Sequence, residues 1–435
     1  MSLPTEILDY ARDALARLVA IPSVSAEGRA LAPAAAAVRE LLEELGATTE
    51  LHETAGAPVV FAERPAQPGQ QTVLFYNHYD VQPADPLELW RSEPFALTEE
   101  DGVWYGRGVA DDKGELVSRL AALRWFLAEH GELPLGFKFV VEGEEEVGSP
   151  NLVEYVTRYK ERLAADGCVW EFGGVTASGR PTTYFGLKGI ACVELRVATA
   201  SHDLHSSLGA VVENPIYRLA AALASLRDAD GRVTVAGFYD DVTPLGPAEE
   251  ELLAALPDEG AELREVYGVE GYLGGVSGAG FQRRLLTEPN INYNGFHAGY
   301  GGPGSKTVLP ASASAKLDVR LVPDQTPEEV VGKLRAHLDR HGFEDVAITL
   351  LAAQRPAKVD PDDPFVQLTI AAARDVYDTE MVVQPIIGGS GPLYPFVSVL
   401  GVPVVSAGVG YSDSRAHAPN ENVDLDYFVK GIRHT

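Results

Sequence analysis

The sequence predicts an α/β domain, a mostly parallel sheet flanked by helices, interrupted by a smaller inserted α+β domain. Three observations carry that prediction. At 435 residues the chain is too long for one ordinary core. Its first part alternates wholly apolar strand-like runs with helical periodicity, as a parallel sheet covered on both faces requires. From about Gly189 the strands instead alternate apolar and polar residues, and from about Asp360 the first style returns. We place the boundaries at 1–189 for the first part of the larger domain, 190–355 for the insertion and 356–435 for the second part.

In the first part, Glu6 to Val19 reads as a helix that stops before Pro22, and Ala34 to Leu45 as a helix closed by Gly46. Thr72-Val73-Leu74-Phe75-Tyr76 and Phe137-Lys138-Phe139-Val140-Val141 read as strands. Between them Leu116, Leu120, Leu123 and Leu127 recur at helical spacing. In the insertion, Ala191, Val193, Leu195 and Val197 alternate with more polar neighbours, and a helix follows from Pro215 to Leu226. Ala313, Ala315, Leu317, Val319 and Leu321 alternate again, Glu328 to His341 reads as a helix, and Val346, Ile348 and Leu350 as a strand. Strand, helix, strand, helix and strand with one polar face is an α+β pattern. Phe365 to Val376 then reads as a helix and Val402 to Val405 as a buried strand, with an incipient helix from Tyr427.

The charge excludes some functions. Lys and Arg number 35 against 63 Asp and Glu, a net charge of −28. Such a surface repels phosphate backbones and anionic lipid, so neither nucleic acid nor a membrane is expected as a partner. No run of about 18 apolar residues occurs. The start, Met1-Ser2-Leu3-Pro4-Thr5-Glu6, lacks the basic-then-apolar order of a secretory signal. Cys168 and Cys192 sit in apolar runs without a CxxC neighbour, which fits reduced thiols in a cytoplasmic protein.

The chemistry-bearing residues follow the apolar runs. Asn77-His78-Tyr79-Asp80 ends the first strand, where α/β sheets bind ligands. His78 and Asp80 share a side of an extended chain, so the carboxylate can take the second ring N–H of a ligating histidine. Next come Gly106-Arg107-Gly108-Val109-Ala110-Asp111-Asp112-Lys113-Gly114, opening a helix that one of the aspartates alone could cap. Glu144-Glu145-Glu146 follows the second strand, and three adjacent carboxylates repel one another unless solvent or a cation relieves them. Glu171 ends the run through Cys168-Val169-Trp170, and His417 lies in Ser414-Arg415-Ala416-His417 after the last buried strand. Each piece is weak alone. Together they are the nitrogen-and-oxygen donor set of a two-metal hydrolase.

On these segments the chain resembles the zinc metallopeptidase family of carnosinase, glutamate carboxypeptidase, aminoacylase, acetylornithine deacetylase and succinyl-diaminopimelate desuccinylase. It is most similar to the carnosinase-like dipeptidases. The resemblance spans nearly the whole chain and rests above all on His78 through Pro83, Gly106 through Gly114 and Glu142 through Ser149. It implies a zinc-peptidase-like catalytic domain and an inserted, ferredoxin-like α+β lid or dimerisation domain. By motif, Asp111 would bridge two divalent ions, His78 and Glu171 would complete one site, and Glu146 and His417 the other. Glu145 would be the general base, Asp80 the partner of His78, and the Asp111–Asp112 peptide cis. Zinc is expected, with manganese or cobalt as substitutes. The ions would polarise the scissile carbonyl, and a metal-bridging hydroxide, deprotonated by Glu145, would attack.

The inserted domain supplies further expectations. His205, in Ser201-His202-Asp203-Leu204-His205-Ser206, matches the family histidine that stabilises the oxyanion across a homodimer interface. His202 is read as structural or exposed. Thr307, Arg320 and Ser390 match substrate-binding positions, and an arginine fork suits a substrate's free carboxylate. His337 and His341, spaced i, i+4 with no Glu between, are read as surface residues.

Three features depart from a carnosinase-like pattern. Glu171 stands where the dipeptidases often carry Asp, Arg415 stands close before His417, and the chain ends soon after Tyr427. The expected activity is a dipeptidase-like amide hydrolase acting on a small substrate with a free carboxylate. N-acyl-amino-acid deacylase, like the deacetylase or desuccinylase relatives, is the alternative. A catalytically silent binding protein of the same fold is the reading from another class. A two-metal phosphoesterase lacks the basic cluster that a phosphate needs.

Overall fold

Wholly apolar runs become central strands, and Thr72–His78 and Gly136–Glu142 lie side by side in the middle of a six-stranded sheet. The computed structural model describes residues 3–258 and 260–435. The Met1-Ser2 start lies outside the described residues. The chain forms two units, one of Met1–Phe185, Lys358–Gln384 and Pro392–Thr435, the other of Gly186–Ala357 and Pro385–Gly391.

In the first unit the strand order is Thr48–His52, Val59–Arg64, Gly136–Glu142, Thr72–His78, Gly167–Trp170 and Val404–Ser406. The first two junctions are antiparallel. The last four strands run parallel. Their carboxyl ends, Glu142, His78, Trp170 and Ser406, therefore meet at one edge, where the sheet can present side chains to a ligand. Every residue of Gly136–Glu142 is buried. Each buried Leu, Val or Phe in such a core contributes about 1.5–3 kcal/mol relative to exposure.

Helices Thr5–Val19, Leu31–Glu43, Lys113–His130, Pro364–Tyr377 and Leu425–His434 belong to this unit. The second begins three residues before the sequence-based start at Ala34. Asp363 caps Pro364–Tyr377 by accepting from the Phe365 N–H, and Asp424 caps Leu425–His434 through Asp426 and Tyr427. Lys113–His130 departs from the predicted leucine stripe. Its residues from Lys113 through Ala121 are buried on every face, charged Lys113, Glu115 and Arg119 included. Among the described residues no helix is long and apolar enough to cross a membrane.

The second unit contains a four-stranded antiparallel sheet in the order Asn290–Ala298, Ser312–Leu321, Gly189–Ala198, Ala347–Gln354. Gly189–Ala198 alternates buried and more exposed residues, as its sequence predicts. Pro215–Ala224 and Pro327–Arg340 join its apolar face, with Leu219, Ala222, Leu334 and Leu338 in one core with Val193, Leu195, Leu317 and Val319. Strand, helix, two strands, helix and strand in this order is the ferredoxin-like arrangement.

The segment Pro385–Gly391, which the sequence places in 356–435, groups with the second unit. The cause is backbone pairing: Ile387 N–H donates to Gly186 O and Lys188 N–H to Gly389 O, a link that a Gly-rich turn does not announce. Gly186–Gly189 and Pro356–Ala357 likewise fall in the second unit. His337 is buried, at 2 % exposure, not on the surface. It continues the core stripe of Val330, Leu334 and Leu338, whereas His341 is exposed and stacks on it.

Candidate metal centre

The site grows from the carboxyl edge of the parallel strands in the first unit. His78 ends its strand and is 1 % exposed. Its Nδ1–H donates to the Asp80 carbonyl at 3.0 Å, with the Asp80 carboxylate 3.3 Å away. That fixes the ring and leaves Nε2 facing Asp111 Oδ1 at 3.1 Å. Asp80 thus holds His78 chiefly through its backbone. Its carboxylate is occupied elsewhere, accepting the Glu145 and Glu146 N–H groups at 3.2 and 3.1 Å. One aspartate therefore ties the strand end to the turn that carries two adjacent glutamates.

The Asp111–Asp112 peptide is cis. The two side chains diverge. Asp112 is fully buried, and its Oδ2 accepts from Asn77 Nδ2 at 2.7 Å and the His78 N–H at 2.9 Å. Asp111 faces outward with both oxygens in use: Oδ1 toward His78, and Oδ2 at 2.9 Å from His417 Nε2. His417 Nε2 also lies 3.1 Å from Glu146 Oε2. Donor atoms fall into two groups, His78, Asp112 and Glu171, and Asp111, Glu146 and His417. In the first, Asp112 Oδ2 is spent on Asn77 and the His78 backbone, whereas Asp111 Oδ1 points directly at the imidazole, so Asp111 is the better third donor there.

A cation fits these residues. Glu171 Oε2 is buried without any hydrogen-bond partner, 3.9 Å from His78 Nε2. An unpaired buried carboxylate is costly unless something neutralises it. Burial, then Glu145 nearby, raises the Glu171 carboxyl well above the usual range. Burial also pushes Glu145 up to about 8, with Asp111, Glu146 and Asp80 adding to it. His417 is pushed up to about 10 by hydrogen bonds to Asp111 and Glu146. The crowd of carboxylates holds protons that two divalent cations would displace. The Glu145 carboxylate itself makes no hydrogen bond to any described residue.

His205, Thr307, Arg320 and Ser390 lie in the second unit. His205 is exposed, and its Nδ1 accepts the Ser207 N–H at 3.2 Å, beside Ser207 Oγ at 2.9 Å, which leaves the proton on Nε2. Thr307 is exposed and adjacent to it in a short ladder, where Ser206 N–H donates to Thr307 O and His205 pairs with Val308. Arg320 and Ser390, 70 positions apart, meet: Arg320 Nη1 donates to Ser390 Oγ at 2.9 Å. Arg415 is exposed beside Asp413 at 3.0 Å. Cys168 and Cys192 are free thiols.

Sequence reading missed the supports. Asp112 stands at the N-cap position of Lys113–His130, yet its side chain caps nothing and instead grips the strand end. Arg119 donates to Trp170 O at 2.9 Å and Ala407 O at 3.2 Å, and Glu115 accepts the Val409 N–H at 2.9 Å. These pin the start of one helix to the ends of two strands. Buried charges at the head of a helix in the sequence stretch after Asp111 were the available signal.

A profile of Peptidase family M20/M25/M40 matches residues 74–434. The chain is similar to the Beta-Ala-His dipeptidase of Homo sapiens, 30% identical over 86% of this chain and 76% of the relative. It is similar to a Cys-Gly metallodipeptidase of Schizosaccharomyces pombe, 29% identical over 98% and 95%. Among solved structures it resembles an M20 family metallo-carboxypeptidase from Sulfolobus solfataricus, with a TM-score of 0.93, 39% identity and coverage of 98% and 97%. With the donor pairs of the first unit and a match along most of its length, the chain belongs to Peptidase family M20/M25/M40.

Proposed function

We propose that this chain is a two-metal dipeptidase cleaving small peptides that carry a free carboxylate. The observation that carries the reading is Asp111, whose two oxygens divide between His78 and His417. Asp111, His78 and Glu171 would hold one ion, and Asp111, Glu146 and His417 the other. Zinc suits imidazole and carboxylate donors, with manganese and cobalt as substitutes. When bound, the ions supply Lewis-acid polarisation of the scissile carbonyl and acidify water.

The chain's own residues do the rest. Glu145 accepts the proton of the attacking water and delivers it to the leaving amine, and its carboxylate, outside both donor groups and without a hydrogen bond to any described residue, is left for that task. Adjacent cations favour its ionised form, countering the burial that raises it. Asp80 holds Glu145 and Glu146 by their N–H groups, so base and ligand keep a fixed spacing. His205, with its proton on Nε2, suits a donor to a developing oxyanion, in keeping with a homodimer in which it serves the partner's site. Arg320, steadied by Ser390, with Thr307, would recognise the substrate carboxylate. The two free thiols support a cytoplasmic location.

Relatives named for dipeptide cleavage support this choice. The likeness to a metallo-carboxypeptidase favours a second reading, removal of a C-terminal residue from longer or N-blocked peptides. Glu171, in place of Asp, keeps N-acyl-amino-acid deacylase in the same test. Dipeptides, N-blocked dipeptides and N-acetyl or N-succinyl amino acids should be assayed side by side. Turnover of dipeptides above the blocked compounds is expected, and turnover of blocked compounds alone rejects the dipeptidase. Calorimetric titration should find two ions per chain. Fewer ions with no hydrolysis would leave a silent binding protein. Arg320→Met should raise KM for dipeptides and not for their C-terminal amides.

A further inference from the structure

Glu421 stands four residues after His417, and its side chain is 0 % exposed. Each carboxylate oxygen takes two donors. Oε2 accepts from Arg107 Nη1 at 2.7 Å and the Gly108 N–H at 2.9 Å. Oε1 accepts the N–H groups of Ala110 at 2.9 Å and Asp111 at 3.0 Å. The Gly106 N–H adds a bond to the Glu421 carbonyl at 3.1 Å. The 106–111 loop thus curls around one carboxylate, much as successive N–H groups close around a bound anion. Gly108 permits the curl: its φ is +90°, and a Cβ there would meet Val81 at 2.9 Å and Lys113 at 3.0 Å.

We propose that Glu421 is a positioning residue that presents Asp111 to both halves of the metal centre and couples the His417 loop to the Asp111 loop. The inference rests on the two-metal reading above. Two loops more than 300 positions apart must agree to within fractions of an ångström for one carboxylate to serve two ions. Glu421 is in one loop and bonds the backbone of the other at Asp111 itself. Asn420, its neighbour, is anchored in turn, accepting the Arg91 N–H and donating to Leu89 O. The bonds belong to the protein alone, so the loop should be formed before any ion arrives.

Glu421→Gln keeps the size but sets an NH2 group against N–H donors. Zinc titration against a chromophoric chelator should show both ions bound about 10–100-fold more weakly, the range for a lost partner behind a ligand. The visible absorption of the cobalt-loaded variant should change with it. A purely structural ion pair with Arg107 predicts a lower Tm with both affinities and the cobalt spectrum unchanged, and that result overturns the proposal. Weakening of one ion only rejects the coupling. Hydrogen exchange on the metal-stripped wild-type protein tests the same idea without a variant. The Gly108, Ala110 and Asp111 amides should exchange slowly, and fast exchange that slows only on adding zinc overturns it. If wild-type protein binds fewer than two ions, the two-metal reading falls and this one with it. Two tightly held ions in both proteins retire the role of Glu421 alone.

Discussion

The two halves of the proposed centre, which both adjoin Asp111, differ in their surroundings. His78 is 1 % exposed and Glu171 5 %, whereas the His417 side chain is 54 % exposed. The buried half is built on strand ends and held by Asp80, Asp112 and, through Trp170 O, Arg119. The exposed half takes its histidine from a loop, with His417 itself in the left-handed region at φ 64°. A preformed, dry half can grip an ion firmly. A loop-borne half at the surface can exchange its ion and admit substrate. On the two-metal reading, the difference suits the first half to retention and the second to access.

The largest effect should come from the group both halves serve. Glu145→Gln should lower kcat by about 10²–10⁴-fold, the worth of a general base, with two ions still bound. Metal analysis alongside steady-state kinetics checks it, and loss of an ion would make Glu145 a ligand instead. The next effect separates the halves by stability. His78→Ala removes a fully buried imidazole and leaves the Asp80 carbonyl and Asp111 Oδ1 without their partner, and should cost about 3–5 kcal/mol in the metal-free protein. His417→Ala, at the surface, should cost only about 1 kcal/mol or less. Equal losses in denaturant unfolding would erase the distinction.

Graded chelation should then remove the ion of the His417 half first, leaving a one-ion species. Simultaneous loss of both ions, read by metal content against residual cobalt absorption, would break the comparison. The pH dependence sharpens it further. In the metal-free protein, bonds to Asp111 and Glu146 push His417 up to about 10, so it carries a proton through neutral pH. An incoming ion must displace that proton. Affinity of this half should therefore rise with pH, by up to about tenfold per unit below pH 10. Zinc competition titrations across a pH series test the sign, and an affinity that falls as pH rises contradicts it.

Several features were legible because they are local. An apolar run of strand length marks a central strand, so Thr72–His78 and Gly136–Glu142 could be read directly, with His78 at the end of one and Glu144-Glu145-Glu146 just after the other. The helices expected from Phe365 and Glu328 begin one residue earlier, at Pro364 and Pro327, behind the capping side chains of Asp363 and Thr326. His337 was misread because its polarity outweighed a spacing that placed it on the core stripe.

Residue types and their order along the chain determined which side chains could hold metal and where the two styles of sheet begin. Only the tertiary structure decided how those side chains are used. Asp80 turned its carboxylate to two glutamate N–H groups, Asp112 gripped the neighbouring strand, Glu421 enclosed a distant loop, and Pro385–Gly391 joined the second unit. Hydrogen bonds of that kind depend on where the backbone N–H and C=O groups of remote segments come to point. Every residue but proline carries both groups, so the sequence does not distinguish which will meet.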